Sequence, residues 1–582
     1  MNNKGVAIRY GDIAPEAKEN FVPTASEREF NTLSQLQQYN LDFPNYVNPC
    51  ELYQTVLDGT ATAFPSVPEQ ANLGLWSEQI SNDDGTFTEP IILTLTSEGQ
   101  YSSQGLTFTF DTYNQIYPTH IKIKWYRNGQ LIVDDGKSMN IDFYPDNAFY
   151  FCRNKVNNYD KVVIEFHSLN MPKNRLKLRV IDYGYGTFFY GDELRGVKLI
   201  QEIDPISTQI SINTADFTLD SKSDMEYSFQ AKQPLSVYFN GELKATAFVK
   251  KSTRKAKRLW SIQSEDYIGL LDSIPYYGGI YTNKNAVELL TDIFTVAKVP
   301  YSIDDVFANA VVTGYIPFTT CREALMQVAF AIQAVIDTSN SDIVKVFALE
   351  EDVKQTIPLN RIMQGQNFAD EETVTGVEVA VHSYKAINET VDVYDATESG
   401  TGQNIFVKFS EPLHDLSITN GKIIRSATNY AVINANSGCI LQGQQYEHTT
   451  QTRRKNNPVV LANDVEKIVA IDNATLVSQY NIDNVLKKCY NWLVKTNTTN
   501  LKIVEGKHIQ YGEPYKYGTG LKYGTGLKYG GIHPNIITYD EKVNVGDNIK
   551  AETEYLGVVS GRLIKQSFNL NGNIIIKEAV LK

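Results

Sequence analysis

An α+β chain dominated by strands and divided into several domains is the fold class the sequence predicts, on three observations. Apolar and polar residues alternate in short runs, as in Leu106-Thr-Phe-Thr-Phe110 and Ile121-Lys-Ile-Lys-Trp125, which is the period of a half-buried strand. Aromatic residues make up 11% of the chain, with 35 Tyr and 26 Phe, a composition that suits pleated sheet. At 582 residues the chain exceeds what one core can organise, so roughly three to five domains are expected.

Residues 1–90 read as an extended or irregular N-terminal arm, because Pro15, Pro23, Pro44, Pro49, Pro65 and Pro68 interrupt any long element. Such a segment suits either an arm docked on a neighbouring molecule or a loosely ordered terminus. Residues 91–186 read as a jelly-roll-like β-sandwich. Ile91-Ile-Leu-Thr-Leu-Thr96, Leu106–Phe110, Ile121–Trp125 and Val162-Val-Ile-Glu-Phe166 are its strands, and Asn128-Gly129 is a hairpin turn. Residues 187–262 form a first β region, in which Phe239-Asn-Gly-Glu242 turns between Leu235-Ser-Val-Tyr238 and Leu243.

Residues 263–371 form a small α/β unit built on two capped helices. Asn285 with Glu288 three residues later caps the first, whose apolar face is Ala286, Leu289, Leu290, Ile293, Phe294 and Ala297. Pro317 keeps Ile316 extended, Thr320 caps the second helix, and Glu323 completes its capping box. Ala324, Leu325, Val328, Ala329 and Ile332 then recur at helical spacing. Strand-like Ile343-Val-Lys-Val-Phe347 follows. Residues 372–582 return to strands, including Val377–Val381 and Ile405–Phe409, with one helix expected over Leu476–Val494. Lys516-Tyr-Gly-Thr-Gly-Leu521 recurs as Lys522–Leu527 and ends in Lys528-Tyr-Gly-Gly531. So short a repeat cannot build a solenoid, so residues 516–531 are expected to be a Tyr-studded loop, either touching a partner subunit or plain surface.

The formal net charge of −13 argues against wholesale coating of nucleic acid. Cys50, Cys152, Cys321, Cys439 and Cys489 are odd in number and widely spaced, which supports neither a disulfide framework nor a zinc site and suggests buried thiols. The start of the chain lacks the apolar stretch of a signal peptide, and no run approaches the roughly 18 apolar residues of a membrane helix.

Searches for chemistry return nothing. Gly136-Lys137-Ser138 lacks the earlier glycine of a phosphate loop, where Leu131 stands, and Gly557-Val-Val-Ser560-Gly561 misspaces a nucleophile elbow by one residue. The histidines His120, His167, His382, His414, His448, His508 and His533 show no metal-ligand spacing. Asn82-Asp-Asp-Gly85 with Glu89 reads as a turn rather than a calcium loop. Lys250-Lys-Ser-Thr-Arg254-Lys-Ala-Lys-Arg258 is a basic cluster that would serve either as a polyanion contact or as a solvated hairpin tip. No catalytic, cofactor-binding or metal residue is assigned.

Asp266-Tyr-Ile-Gly-Leu-Leu-Asp272, Tyr276-Tyr-Gly-Gly279 and Gly314-Tyr-Ile-Pro317 with Arg322-Glu-Ala-Leu325 together resemble the bacteriophage tail hub family, the baseplate hub or tail-associated proteins of the tail tip. Glu202-Ile-Asp-Pro-Ile-Ser207 before Phe217-Thr-Leu219 resembles that family's opening strand, and Val543–Asp547, Gly561–Ile564 and Phe568–Leu570 resemble its closing strands. The resemblance covers residues 190 to 582. Gly5–Phe21 is similar to the opening of tail proteins from phages of Firmicutes, and Val156–Phe166 with Arg175–Gly184 resembles a galactose-binding-like domain.

The resemblance implies two tube-type β-barrel regions, at 187–262 and 372–582, flanking the α/β unit. It further implies a homotrimeric structural hub, not an enzyme, closing the distal tail tube. Its partners would be a six-fold distal tail or tube protein, a tape-measure protein, and spike or adhesin proteins. Its place would be the virion tail, after assembly in the bacterial cytoplasm. Two alternatives stand beside it. One is a receptor-binding protein gripping cell-wall saccharide through residues 91–186, with Trp125 or Tyr144-Pro-Asp-Asn147 as the stacking group unless these are core and turn. The other is a tail-associated cell-wall hydrolase, for which a chain ending at Lys582 is expected to leave no room.

Overall fold

A computed structural model describes residues 5–13, 15–26, 33, 36, 46–47, 62–63, 74–112, 114–134, 136–221, 229–239, 242–363, 366–396, 404–459, 465–511, 534–538, 543–571 and 574–582. The chain is predominantly β with several sheets, as the composition predicts, and divides into two compact units. One contains residues 1–191 and 227–242, the other residues 192–226 and 243–582.

In the first unit, β1 (Val6–Ile13), α1 (Pro15–Asn20) and β2 (Val22–Ala25) open the chain. They are followed by β3 (Thr86–Thr109), β4 (Pro118–Arg127), β5 (Asn140–Phe143), β6 (Phe149–Leu169), β7 (Val180–Asp182) and β8 (Gly184–Tyr190). The main antiparallel sheet runs β5-β4-β6-β3-β7, with β2 added to β3. Alternation places Ile121, Ile123 and Trp125 of β4 and Val162, Ile164 and Phe166 of β6 on the buried face. Leu75, Leu176 and Leu178, from a short strand pair, join the same core.

Part of the lead segment expected to be irregular is regular. The strand β1 pairs with β8 on one side and with Pro234–Phe239 on the other, and buries Ile8 and Tyr10. The prolines missed this because Pro15 stands at the first residue of α1 and Pro23 in β2, positions that tolerate a missing amide donor. An ion triplet fastens the segment. Asp182, fully buried, accepts from the Arg9 guanidinium and from Lys18 Nζ at 2.9 Å. Burial alone would raise the Asp182 pKa, but the two cations hold it below the ordinary carboxylate range, while burial pushes Lys18 down to about 8.

In the second unit, β9 (Leu194–Glu202), β10 (Thr214–Asp220), β11 (Glu242–Arg254), β12 (Leu259–Glu265) and α2 (Tyr267–Leu271) come first. The compact insert is β13 (Gly279–Asn285), α3 (Ala286–Ala297), β14 (Val311–Ile316) and α4 (Cys321–Ile332). Then follow β15 (Asn367–Asp370), β16 (Gly376–Ala396), β17 (Asn404–Lys408), β18 (Leu413–Ala427), β19 (Tyr430–Asn456) and β20 (Ile468–Ile471). Helix α5 (Ile482–Leu493), β21 (Asn497–Tyr511), β22 (Asn548–Thr553), β23 (Gly557–Asn571) and β24 (Ile574–Leu581) complete it.

Among the described residues no sheet closes into a barrel. The two regions expected to be separate barrels instead share one sheet of order β11-β12-β10-β9-β23-β24-β21-β15, in which β9 pairs with β23 from Val197↔Leu570 to Glu202↔Lys565. Strand alternation is identical for an open sheet and a closed one, so sequence could not separate them. Both capped helices form as expected. Asn285 accepts from the Val287 and Glu288 amides at 2.8 and 3.2 Å, and Thr320 accepts from the Glu323 amide at 3.2 Å. The later helix starts at Ile482 rather than near Leu476, because Ser478 and Asn481 close a turn in which the Asn481 carbonyl oxygen Oδ1 accepts from the Ser478 amide at 2.8 Å. The Lys516–Gly531 repeat, Asn240-Gly241 and Cys50 lie outside the described residues.

Thr320→Ala should therefore lower stability by about 1 kcal/mol in denaturant unfolding, the usual loss for an N-cap oxygen. Asp182→Asn removes the counter-charge shared by two buried cations and should cost about 3–5 kcal/mol, read in the unfolding of the first unit.

Candidate functional site

Two of the stretches quoted for the hub resemblance, Tyr276–Gly279 and Gly314–Pro317, meet at one junction in the second unit. Gly314 sits in β14 at φ 149°, where a Cβ would run into the Thr475 carbonyl oxygen and lie 2.9 Å from the Leu476 Cα. With no side chain there, the Tyr315 amide donates to the Thr475 carbonyl at 3.2 Å and the Thr475 hydroxyl donates back to the Tyr315 carbonyl. Gly278, at φ 65°, similarly lets the Ile316 and Pro317 carbonyls close in, and Asn429 Nδ2 bridges the Tyr277 and Ile316 carbonyls at 2.7 and 3.0 Å.

Other groups tighten the 472–481 loop. Gln327 of α4 donates to the Asn473 carbonyl at 2.6 Å, and Asn481 Nδ2 donates to the Ala331 and Leu476 carbonyls at 3.2 and 3.1 Å. His382 of β16 accepts the loop from the other side: its amide donates to the Val477 carbonyl at 2.8 Å, and its Nε2 lies 3.0 Å from the Asp472 carbonyl. Because a carbonyl only accepts, Nε2 carries the ring proton, and Nδ1 accepts from His448 Nε2 at 3.0 Å. The His448 ring stacks on Tyr384 at 4.5 Å, and Tyr384 meets Tyr315 at 5.3 Å. Burial first, and the neighbouring His448 second, lower the His382 pKa.

Asp266, which opens the Asp266–Asp272 stretch, is the N-cap of α2. Its Oδ1 accepts from the Ile268 and Gly269 amides at 3.0 and 3.2 Å, and its Oδ2 from the Thr338 hydroxyl at 2.6 Å. Burial pushes its pKa up to about 7 against those hydrogen bonds. A cavity of about 10 Å³, the size of one water, lies beside it among Asn213, Thr246 and Thr338. At the solvent edge of the junction, Tyr277, Phe318, Phe406 and Tyr430 form a ring cluster, with Lys408 over Phe318 at 4.4 Å and Arg425 over Tyr430 at 5.7 Å.

The other residues singled out in the sequence are dispersed. Trp125 is core, 0% exposed and edge-on to Phe143. Tyr144 is 67% exposed and stacks on His120 at 5.2 Å, which stacks on His167 at 4.4 Å, with His120 Nε2 2.8 Å from Asp142. Lys250–Arg258 lies on the β11–β12 hairpin. Lys250 pairs with Glu265 at 2.6 Å, and Arg254 lies over Trp260 at 5.2 Å and donates to the turn carbonyls of Ala256 and Lys257. Asn82–Gly85 is a tight turn in which Asp84 accepts from the Thr86 amide at 2.9 Å. Ser560 lies within β23, and Lys137-Ser138 within a two-residue strand. Cys152, Cys321, Cys439 and Cys489 are buried free thiols, and burial raises Cys489 to about 12 and Cys321 to about 11.

Sequence reasoning passed over Asp472–Asn481, His382 and Asn429 as junction residues; they complete it from 68 to 167 positions beyond Gly314. No local pattern marks them. Among the described residues no group of three or more His, Cys, Asp and Glu is placed to hold a metal ion, and no helix is long and apolar enough to cross a membrane.

No family model matches the chain, and no curated protein matches it in sequence. Solved structures do match. The tail protein from Neisseria meningitidis MC58 is 10% identical with TM-score 0.39, over 67% of this chain and 92% of that one. The 43 kDa tail protein of prophage MuSo2 from Shewanella oneidensis is 8% identical with TM-score 0.38, over 68% and 95%. Prophage tail protein gp18 from Listeria monocytogenes EGD-e is 10% identical with TM-score 0.34, over 67% and 91%. A likeness this distant assigns neither family nor role.

Two outcomes follow from the junction. Gly314→Ala should destabilise the second unit by roughly 2–3 kcal/mol, since strain at positive φ adds to a backbone clash. His382 binds a proton less readily folded than unfolded, so its contribution is intact above about pH 6.5 and is lost as pH falls below it. Denaturant midpoints measured between pH 7.5 and 5 should fall in the wild-type chain and fall less in His382→Asn.

Proposed function

We propose that the chain is a structural component of a phage or phage-like tail tip: a homotrimeric hub that closes the distal tail tube and joins it to spike, adhesin or host-contact proteins. The observation that carries this reading is how the family-like residues are spent. Asp266 caps a helix, Gly278 and Gly314 admit carbonyls, and Thr320 caps α4, so all four serve packing. A hub works by presenting repeated β surfaces to a six-fold ring, which needs rigid subunits and no reacting group.

The partners are then the distal tail or tube protein above, the tape-measure protein within, and spike or adhesin proteins below. The location is the virion tail, reached after assembly in the bacterial cytoplasm. The chain is not an enzyme on this reading. A second reading, saccharide recognition by residues 91–186, is favoured by one observation: the Tyr144 ring is offered to solvent with imidazoles stacked behind it, the geometry a sugar ring packs on.

A reconstruction of the intact tail tip tests the hub directly. Three copies beneath a six-fold ring are expected, each burying more than about 2,000 Å² against its neighbours. Six copies on the outside, or one at the end of a fibre, would sink the hub and favour receptor binding. Clearing of cell walls in a zymogram would overturn the non-enzymatic reading.

A further inference from the structure

Strand β19 is 27 residues long and changes neighbours along its length. Strands β17 and β18 pair with its first half as far as Gln445, and β16 pairs with its second half from Cys439 to Asn456. Beyond Gln445, no strand among the described residues occupies its outer edge. Glu447–Arg454 are also exposed on both faces. A strand open on one edge and both faces is a template for another strand.

Two of the usual protections of an edge, a bulge and a proline, are missing. The ladder from Gly376↔Asn456 to Ala386↔Tyr446 runs without a register shift, so no bulge turns the edge away, and no proline interrupts residues 446–456. Thr449, Thr450 and Thr452 favour extended pairing. The charges at the edge complement themselves. Glu447 and Arg453 are exposed, and beyond the backbone ladder neither side chain makes a hydrogen bond or ion pair among the described residues. Arg454 is held by Glu466 and by Glu378 at 3.4 Å, and Lys455 lies over the Tyr490 ring at 4.2 Å, so those two cations are engaged within their own chain.

We propose that this edge pairs with the same edge of a second copy, antiparallel and centred on Thr450. In that register Thr450 faces its own counterpart, Thr449 faces Gln451, and Glu447 faces Arg453 twice by the two-fold axis. The partner is thus chosen by charge: an edge with its acid at one end and its free cation six residues on is its own complement. An isologous contact of this kind differs from the cyclic contacts of a three-copy ring, so it goes beyond the hub reading and stands or falls separately.

The full-length Thr450→Cys chain should form a covalent dimer on mild oxidation, because opposed residues of antiparallel strands lie within disulfide reach. Tyr480→Cys, at a residue 81% exposed and away from the edge, should not. In sedimentation, wild type should dimerise. Glu447→Arg and Arg453→Glu should each weaken the dimer about tenfold, and the double exchange should restore it. A chain that stays monomeric and a Thr450→Cys variant that cross-links no better than the control would overturn the proposal. So would a double exchange that fails to restore a dimer lost in the single variants. None of these results bears on the number of copies in a tail tip.

Discussion

The second unit depends on one close approach, that of the Thr475 carbonyl to the backbone of β14 at Gly314. Everything that meets at the junction is positioned through it. The extended backbone at Tyr315 and Ile316 leads into Thr320, which caps α4, and α4 carries Gln327 to the Asn473 carbonyl. The loop so fixed carries Asp472 and Val477 to His382, and through Asn481 it starts α5, whose Ile482, Val485 and Cys489 pack on Val377 and Val379 of β16. A carbonyl at that distance excludes a Cβ, so the constraint falls on a residue type rather than on a hydrophobic preference that several residues could satisfy.

In the first unit the comparable constraint is electrostatic. Asp182 sits fully buried on β7, so its charge is tolerable only because Arg9 and Lys18 are brought to it. Those cations lie on β1 and α1, more than 160 residues earlier in the chain, which makes the opening segment part of the core. Desolvation offsets most of the Coulomb gain of such a triplet, so its net stabilisation is small, but removing one member would leave a buried charge without its partner. Pairing of β1 between β8 and Pro234–Phe239 then satisfies the backbone along both edges of the strand.

What was legible in the sequence is what local rules determine. The caps at Asn285 and Thr320 and the alternation in β4 and β6 all depend on residues within a few positions of each other, and all form as read. What was illegible is set by distant partners. Nothing near Val6–Ile13 shows that it enters a sheet, since the strands flanking it come about 175 and 230 residues later. Barrel closure was implied by the resemblance, and the strand pattern itself does not encode which edge meets which. The start of α5 was misplaced because the apolar residues Leu476 and Val477 fit a helical stripe, yet they are loop residues buried in two separate cores, Leu476 with α3 and α4 and Val477 with β16 and α5. The candidate junction was half visible: its glycines and caps announced themselves, while His382, Asn429 and Thr475 carried no signal until the fold brought them in.

That division also bears on function. Residues that pack are read by local rules and distant likeness, whereas residues that meet partners are constrained by surfaces no single chain displays. The buried ionisable groups of this molecule illustrate the difference. Asp266, His382, Cys321 and Cys489 have shifted pKa values, a feature often shared with catalytic groups, yet burial is the largest cause in each and each is enclosed by its own hydrogen bonds or core neighbours. Perturbation without an opening toward solvent is the signature of a group that holds a fold together. Features that do reach solvent are of another kind: a ring cluster flanked by Lys408 and Arg425, a cationic hairpin, and an uncovered strand edge. Aromatic rings, arginines and open strand edges are what protein contacts are built from. What reaches solvent on this chain is thus the kind of surface a protein contact uses, and its buried ionisable groups are spent on packing.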